Sequence, residues 1–105
     1  MNRGTNTKEH WEQKHIQQYE VNKPYDYSKM GELSYIKVAN DLMVQNQDVV
    51  KSKSVLDIGC AVGKAVNYYK MNLPDWYCSG CDFSESAIDA AMVKVPNCIF
   101  SKRDI

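Results

Sequence analysis

The sequence has few residues that break regular structure, and it carries no excess of charge. It contains only five glycines and three prolines in 105 residues, and it has no Gly/Ser linker or low-complexity tract. Lys and Arg together number 13, as do Asp and Glu, so the formal net charge is zero. Non-specific nucleic-acid binding needs clustered positive charge. We therefore expect no nucleic-acid partner.

Long hydrophobic runs are missing as well. No apolar stretch approaches the roughly 18–20 residues of a membrane span. Residues 1–10 are polar, unlike a secretory signal. We therefore expect a cytoplasmic protein that does not contact a membrane. The length allows one small domain and excludes most two-domain enzymes and large barrels.

The four cysteines all lie in the second half of the chain. Without a secretory signal they are expected to be reduced thiols. Cys78 and Cys81 have the C-x-x-C spacing of zinc and redox sites, but they fall three positions apart in a predicted strand and so point to opposite faces. The other available zinc ligands are Cys60, Cys98, His10 and His15. This arrangement favours buried thiols, and we expect no metal.

The first part of the chain, residues 1–53, has helical periodicity. Thr7 can cap a helix over about 8–19, and Trp11, His15, Ile16 and Tyr19 fall near one face of it. A loop containing Pro24 follows. Residues 32–50 are predicted to form a second helix. The apolar stripe of that helix is Leu33, Ile36, Ala39, Leu42 and Met43.

The second part, residues 54–105, alternates between strand and helix patterns. The predicted order is a strand at 54–58, a helix at 64–71, a strand at 76–81, a helix capped by Ser84, and a strand beginning at Cys98. The last helix carries an apolar face made of Ala87, Ile88, Ala91, Met92 and Val95. Strands alternating with helices predict an α/β fold with a Rossmann-like parallel sheet.

A glycine-containing turn between the first strand and its helix is the most informative segment. It reads DIGCAVGK over residues 57–64. Gly59 and Gly63 remove side chains where the backbone turns sharply or a ligand approaches. The following helix begins with backbone N–H groups that can meet a ligand. The alternative is a tight strand–helix connection that binds nothing.

Two acids flank the crevice that this turn would form. Asp57 is expected at the carboxyl end of its strand, where open α/β sheets bind ligands. Asp82 closes the second strand and is placed to accept hydrogen bonds from ribose hydroxyls. The alternatives are structural, since Asp57 could cap the N–H groups of the loop and Asp82 could cap the helix that starts near Ser84.

These segments resemble the cofactor half of class I S-adenosylmethionine-dependent methyltransferases. The D-x-G-x-G-x-G motif of that family reads here as Asp57, Gly59, Ala61 and Gly63, so Ala61 replaces the middle glycine. The resemblance implies that Asp57 and the loop, which includes Cys60, contact the methionine end of the cofactor.

Matches to the rest of the cofactor site follow the next two strands. The resemblance implies that Asp82 binds the ribose and that Phe83 lies against the adenine. Asp104, with Ile105, matches an acid near the adenine amino group. The implied activity is transfer of a methyl group from S-adenosylmethionine to a nucleophile. No catalytic acid or base is assigned in this chain, and the sequence does not identify the acceptor.

The family's sheet has seven strands, and this chain supplies the first three. The first strand would then have an unpaired edge. We expect either a shortened gene product or a chain that pairs with a partner or a second copy. The resemblance also implies that N-terminal helices cover the cofactor. Trp11, Tyr19, Tyr25 and Tyr27 are the candidates for such a lid, and the alternative is that they are packing aromatics on amphipathic helices.

Two other ligand classes were weighed against this interpretation. A dinucleotide motif, G-x-G-x-x-G, that begins at Gly59 would have Ala61 at its second glycine position and Lys64 at its third. Asp57 would also lie beside the negative pyrophosphate. The G-x-x-x-x-G-K-[ST] motif of phosphate-binding loops is absent. A non-catalytic half-Rossmann module, which holds a nucleoside or acts through a partner chain, remains the alternative.

Overall fold

The computed structural model describes residues 21–104. The helices are α1 (Tyr35–Asn46), α2 (Lys64–Asn72) and α3 (Glu85–Lys94). The strands are β1 (Ser54–Ile58), β2 (Tyr77–Asp82) and β3 (Ile99–Lys102). The predicted helix at 8–19, its aromatic and histidine residues, and Ile105 lie outside the described residues.

The three strands form one parallel sheet in the order β1-β2-β3, so the predicted α/β, Rossmann-like fold is confirmed. Each predicted strand lies within one or two residues of its observed position. The register places Asp57 opposite Gly80, and Gly80 opposite Phe100. The carboxyl ends of all three strands therefore lie at one edge of the sheet, where the predicted site residues follow them.

The predicted apolar stripe of the first described helix was wrong at two positions. Leu33 is 92% exposed because the helix begins only at Tyr35, and Leu42 is 55% exposed. At about 3.6 residues per turn, Leu42 lies well off the face that Ile36 buries. Asn40 is buried on that face instead, and one atom of its side chain, Oδ1, has no hydrogen-bond partner within residues 21–104.

Helix α3 begins where the sequence predicted. The Ser84 hydroxyl accepts a hydrogen bond from the Ala87 N–H at 3.2 Å and so caps the first turn. Its predicted apolar face is buried except for Met92, which is exposed, and Ala90 is buried in addition. The small alanines let α3 pack closely against the sheet.

The hydrophobic core lies between the helices and one face of the sheet. Val66, Leu73 and Val95 are almost completely buried there. The opposite face carries apolar side chains that are more than half exposed, and we call it the uncovered face: Leu56, Ile58, Tyr77 and Ile99. Strand β1 forms one edge of this sheet. Among the described helices, none is long and apolar enough to cross a membrane.

Candidate functional site

The turn between β1 and α2, which we call the glycine loop, spans residues 59–63. The N–H groups of Gly59 and Cys60 both donate to the Cys81 carbonyl, at 2.8 and 2.9 Å, so β2 fixes the start of the loop. The backbone is left-handed at Gly59 (φ 79°), Ala61 (φ 49°) and Gly63 (φ 88°). Left-handed conformation disfavours side chains, which explains the two glycines and makes Ala61 a non-glycine residue in an unfavourable conformation.

The two loop glycines have different surroundings. A Cβ atom on Gly63 would lie 3.1–3.2 Å from Phe100 and Ala91, so packing as well as conformation requires glycine there. A Cβ atom on Gly59 would meet no heavy atom within 4 Å. The loop therefore packs against β3 and α3 at Gly63 and borders open space at Gly59, where a ligand could approach the backbone.

Asp82 ties the glycine loop to the start of α3. One carboxylate oxygen accepts the Ala61 N–H at 2.9 Å, and the other accepts the Ser84 N–H at 2.9 Å. The residue is only 5% exposed. The alternative role for Asp82 was to cap the helix that starts near Ser84. Ser84 itself caps that helix, and Asp82 accepts the N–H of this cap residue. A carboxylate can accept further hydrogen bonds through its remaining lone pairs.

Asp57 presents a buried acceptor atom. No donor within residues 21–104 reaches its Oδ2 atom, so the proposed capping of loop N–H groups does not involve that oxygen. Burial raises the pKa of this carboxyl group, and the negative charge of Asp82 raises it further. Leaving a buried acceptor unpaired costs free energy. A cationic or hydrogen-bond-donating ligand at this position would remove that cost.

Cys60 turns its side chain into the interior and away from solvent. Its thiol lies against β2, where a Cβ atom on Gly80 would come within 2.7–2.8 Å of the Cys60 side chain. Burial, followed by the charges of Asp82 and Asp57, raises its pKa to about 12. The thiol therefore stays protonated at neutral pH and is no nucleophile. Sequence reasoning missed Gly80, although a glycine inside a strand signals close approach of another group.

The two cysteines on β2, Cys78 and Cys81, have the predicted arrangement. Cys78 belongs to the core beneath the helices, and Cys81 lines a cleft on the uncovered face with Leu56 and Ile58, so the two point to opposite faces as predicted. All four cysteines are free thiols. Within the part of the chain that the structure describes, no group of three or more His, Cys, Asp or Glu residues could hold a metal ion.

Of the four predicted lid aromatics, Tyr25 contacts the glycine loop and Tyr27 contacts the first residue of α2. The Tyr25 hydroxyl donates to the Val62 carbonyl at 2.5 Å, and the Tyr27 hydroxyl donates to the Lys64 carbonyl at 2.7 Å. Neither residue lies on a helix, but the Tyr27 ring packs against Tyr68 of α2 and the Tyr25 ring lies beneath Lys94 of α3. Trp11 and Tyr19 lie outside the described residues.

The residues matched to the adenine lie beyond β2 and β3. Phe83 is half-buried in the turn after Asp82. Asp104 is exposed and lines the cleft on the uncovered face beside Arg103. The Arg103 N–H donates to the Asp82 carbonyl at 2.8 Å, which ties the end of β3 to the end of β2. Asp82 and Asp104 thus follow adjacent strands at the same edge of the sheet.

Comparison with known proteins gives one informative match. No protein-family model matches the chain. The chain is 34% identical over 79 residues to Putative methyltransferase 235L of Invertebrate iridescent virus 6. This match covers 75% of the chain and 29% of the viral protein, so the chain spans less than a third of the length of that curated relative. The chain is thus similar to one part of a protein that is named as a methyltransferase.

Proposed function

We propose that this chain supplies the S-adenosylmethionine-binding part of a methyltransferase. The observation that carries the proposal is the buried, unpaired Oδ2 atom of Asp57 on the strand that leads into the loop with open space at Gly59. S-adenosylmethionine carries an ammonium group that can donate to this atom. The similarity to a protein named as a methyltransferase supports the same class.

The residues present fit the chemical groups of this cofactor. In the proposal, Asp57 accepts a hydrogen bond from the ammonium group, and the open space at Gly59 admits the methionine portion. Asp82 holds Ala61 and Ser84 in place and offers its remaining lone pairs to the ribose hydroxyls. By the family resemblance, Phe83 and Asp104 lie on the adenine side.

The cofactor, when bound, supplies an electrophilic methyl group on a sulfonium centre. The task of this chain is to bind and orient it, since transfer requires the acceptor nucleophile to lie in line with the breaking bond. The Cys60 thiol is protonated and buried and does not take the methyl group itself. In our proposal the acceptor is bound by protein outside these residues.

A non-catalytic nucleoside-binding module is the second candidate. The uncovered face and the edge position of β1 favour it, because parallel sheets are normally covered on both faces. Such a module would bind the same ligand and act through a partner chain. A dinucleotide ligand is disfavoured, since its pyrophosphate would approach the carboxylates of Asp57 and Asp82.

Calorimetric titration of the chain with S-adenosylmethionine, NAD and ATP in parallel tests the proposal. We expect selective binding of S-adenosylmethionine and a loss of about tenfold or more in Asp57→Asn, the size expected for a hydrogen bond between charged groups. Asp89→Asn is the matched control, because Asp89 is an exposed acid on α3. Preference for NAD or ATP, or equal affinity in Asp57→Asn and the wild type, would contradict it.

A further inference from the structure

A short segment before α1 is fastened across the end of the glycine loop. This segment, residues 22–27, is called the strap here. Its two tyrosine hydroxyls donate to the carbonyls of Val62 and Lys64, which are 37 residues away in sequence. The Asn67 side chain in turn donates to the Tyr27 hydroxyl at 3.0 Å. The strap therefore contacts the last part of the loop and the first two turns of α2.

Tyr25 bonds to a peptide group that lies between two left-handed residues. Val62 follows Ala61 and precedes Gly63, both of which have positive φ. The carbonyl of the Val62–Gly63 peptide accepts from Tyr25, and the N–H of the same peptide donates to the Cys60 carbonyl at 3.0 Å. Because a trans peptide is planar, its carbonyl and N–H point in opposite directions and both ends are fixed.

Packing and charge hold the strap in this position. The Tyr25 ring packs against a buried cluster formed by Val62, which is 2% exposed, and by Ala87 and Ala90 of α3. The Lys94 ammonium group lies 4.4 Å from the centre of the Tyr25 ring and donates to the Lys23 carbonyl. A cation over the face of an aromatic ring is attracted to it. The strap is thus attached to α3 as well as to α2.

A second cation and a second ring secure the other tyrosine. The Lys64 ammonium group lies 5.5 Å from the centre of the Tyr27 ring, and the Tyr68 ring lies 5.0 Å from it. The Asp26 side chain accepts from the Ser28 N–H and hydroxyl, which closes a turn directly after the strap. The path of the strap is therefore defined on both sides of Tyr25.

We propose that Tyr25 is a positioning residue that sets the ligand-binding conformation of the glycine loop through the Val62–Gly63 peptide. It acts on the loop backbone rather than on the ligand. Tyr27 fixes the adjoining first turn of α2. The consequence for ligand affinity rests on the proposed function, whereas the effect on the loop does not.

Amide hydrogen exchange of the ligand-free chain, followed by NMR, tests the effect on the loop. Tyr25→Phe removes the hydroxyl and keeps the ring that packs against the cluster containing Val62. We expect the Gly63 amide to exchange about threefold to tenfold faster, the range for loss of one intramolecular hydrogen bond. Exchange at Val66 and Leu73 in the core should stay unchanged. Tyr77→Phe is the matched control, because Tyr77 lies exposed on the uncovered face.

Titration of the same variants with S-adenosylmethionine tests the consequence for binding. We expect Tyr25→Phe to bind S-adenosylmethionine about threefold to tenfold more weakly than the wild type does. Tyr77→Phe should bind it as tightly as the wild type. Unchanged Gly63 exchange, or faster exchange with unchanged affinity, would overturn the proposal. If the wild-type chain binds no S-adenosylmethionine, the proposed function fails, and Gly63 exchange still decides whether Tyr25 positions the loop.

Discussion

At the scale of single residues, the candidate site contains two acids in different states. One has hydrogen-bond donors on both carboxylate oxygens, and the other has one buried oxygen without a donor among the described residues. Asp82 accepts two backbone N–H groups and holds the loop in shape. Asp57 keeps one buried oxygen without a donor in residues 21–104. An unpaired carboxylate lowers the stability of the folded chain, and such local costs are common at binding sites.

The raised pKa of Asp57 gives a prediction for stability against pH. Between the ordinary carboxyl pKa and the raised value, the folded chain binds more protons than the unfolded chain. This group therefore makes the free energy of unfolding fall as pH rises through that interval. Asp57→Asn removes the titration, so we expect the variant to gain melting temperature relative to the wild type from about pH 4 to pH 7.

Thermal melts of both proteins at several pH values measure this difference. Asp89→Asn is again the control, because it makes the same chemical change at an exposed position on α3. A gain in Asp57→Asn that is equally large at pH 4 and pH 7 would contradict the raised pKa of Asp57, and a loss that grows with pH would show that folding stabilises its carboxylate.

At the scale of secondary-structure elements, the sequence predicted what depends on local signals. The bounds of β1 and the cap at Ser84 follow from short-range patterns, and the structure has both. The buried face of α1 was predicted in part only, because Asn40 takes a core position and Leu42 does not. The bond from Tyr25 to Val62 joins residues with no shared periodicity, so no pattern along the chain could indicate it.

Gly80 shows how tightly the loop packs on the central strand. A methyl group at this position would lie 2.7 Å from the Cβ atom of Cys60 and 3.2 Å from the Phe100 ring. We expect Gly80→Ala to lower the free energy of unfolding by about 1–3 kcal/mol, the usual cost of overpacking. Urea denaturation measures it.

Gly31→Ala is the matched control for this substitution, since a methyl group there meets nothing within 4 Å. Its effect should stay within about 0.5 kcal/mol in either direction, as for ordinary surface changes. If both alanine variants lose the same stability, the contact between Gly80 and Cys60 does not limit the packing of the loop.

At the scale of the whole molecule, the sheet has one face beneath helices and one that is not covered by described residues. Leu56 and Ile58 are exposed on the edge strand β1, and Tyr77 on β2 and Ile99 on β3 are exposed on the same face. Exposed apolar faces and open strand edges both favour association. We propose that a second copy of the chain covers this part of the molecule.

Light scattering over a range of concentrations tests this proposal on the isolated chain. We expect the molar mass to rise with concentration, and Leu56→Lys to suppress the rise by placing a charge on the uncovered face. Leu33→Lys should leave the association unchanged, because Leu33 is fully solvated before α1. A folded wild-type monomer at every concentration would count against the proposal.

We propose above all that the glycine loop, Asp57 and Asp82 bind S-adenosylmethionine. The most direct measurement is a titration of the wild-type chain with this compound, followed through the NMR signals of its backbone amides. We expect saturable shifts concentrated at Gly59, Ala61, Gly63 and Phe83, with saturation in Asp57→Asn at about tenfold or more higher ligand concentration. Saturable shifts confined to other parts of the chain, or no shifts from a chain that is folded by circular dichroism, would contradict it.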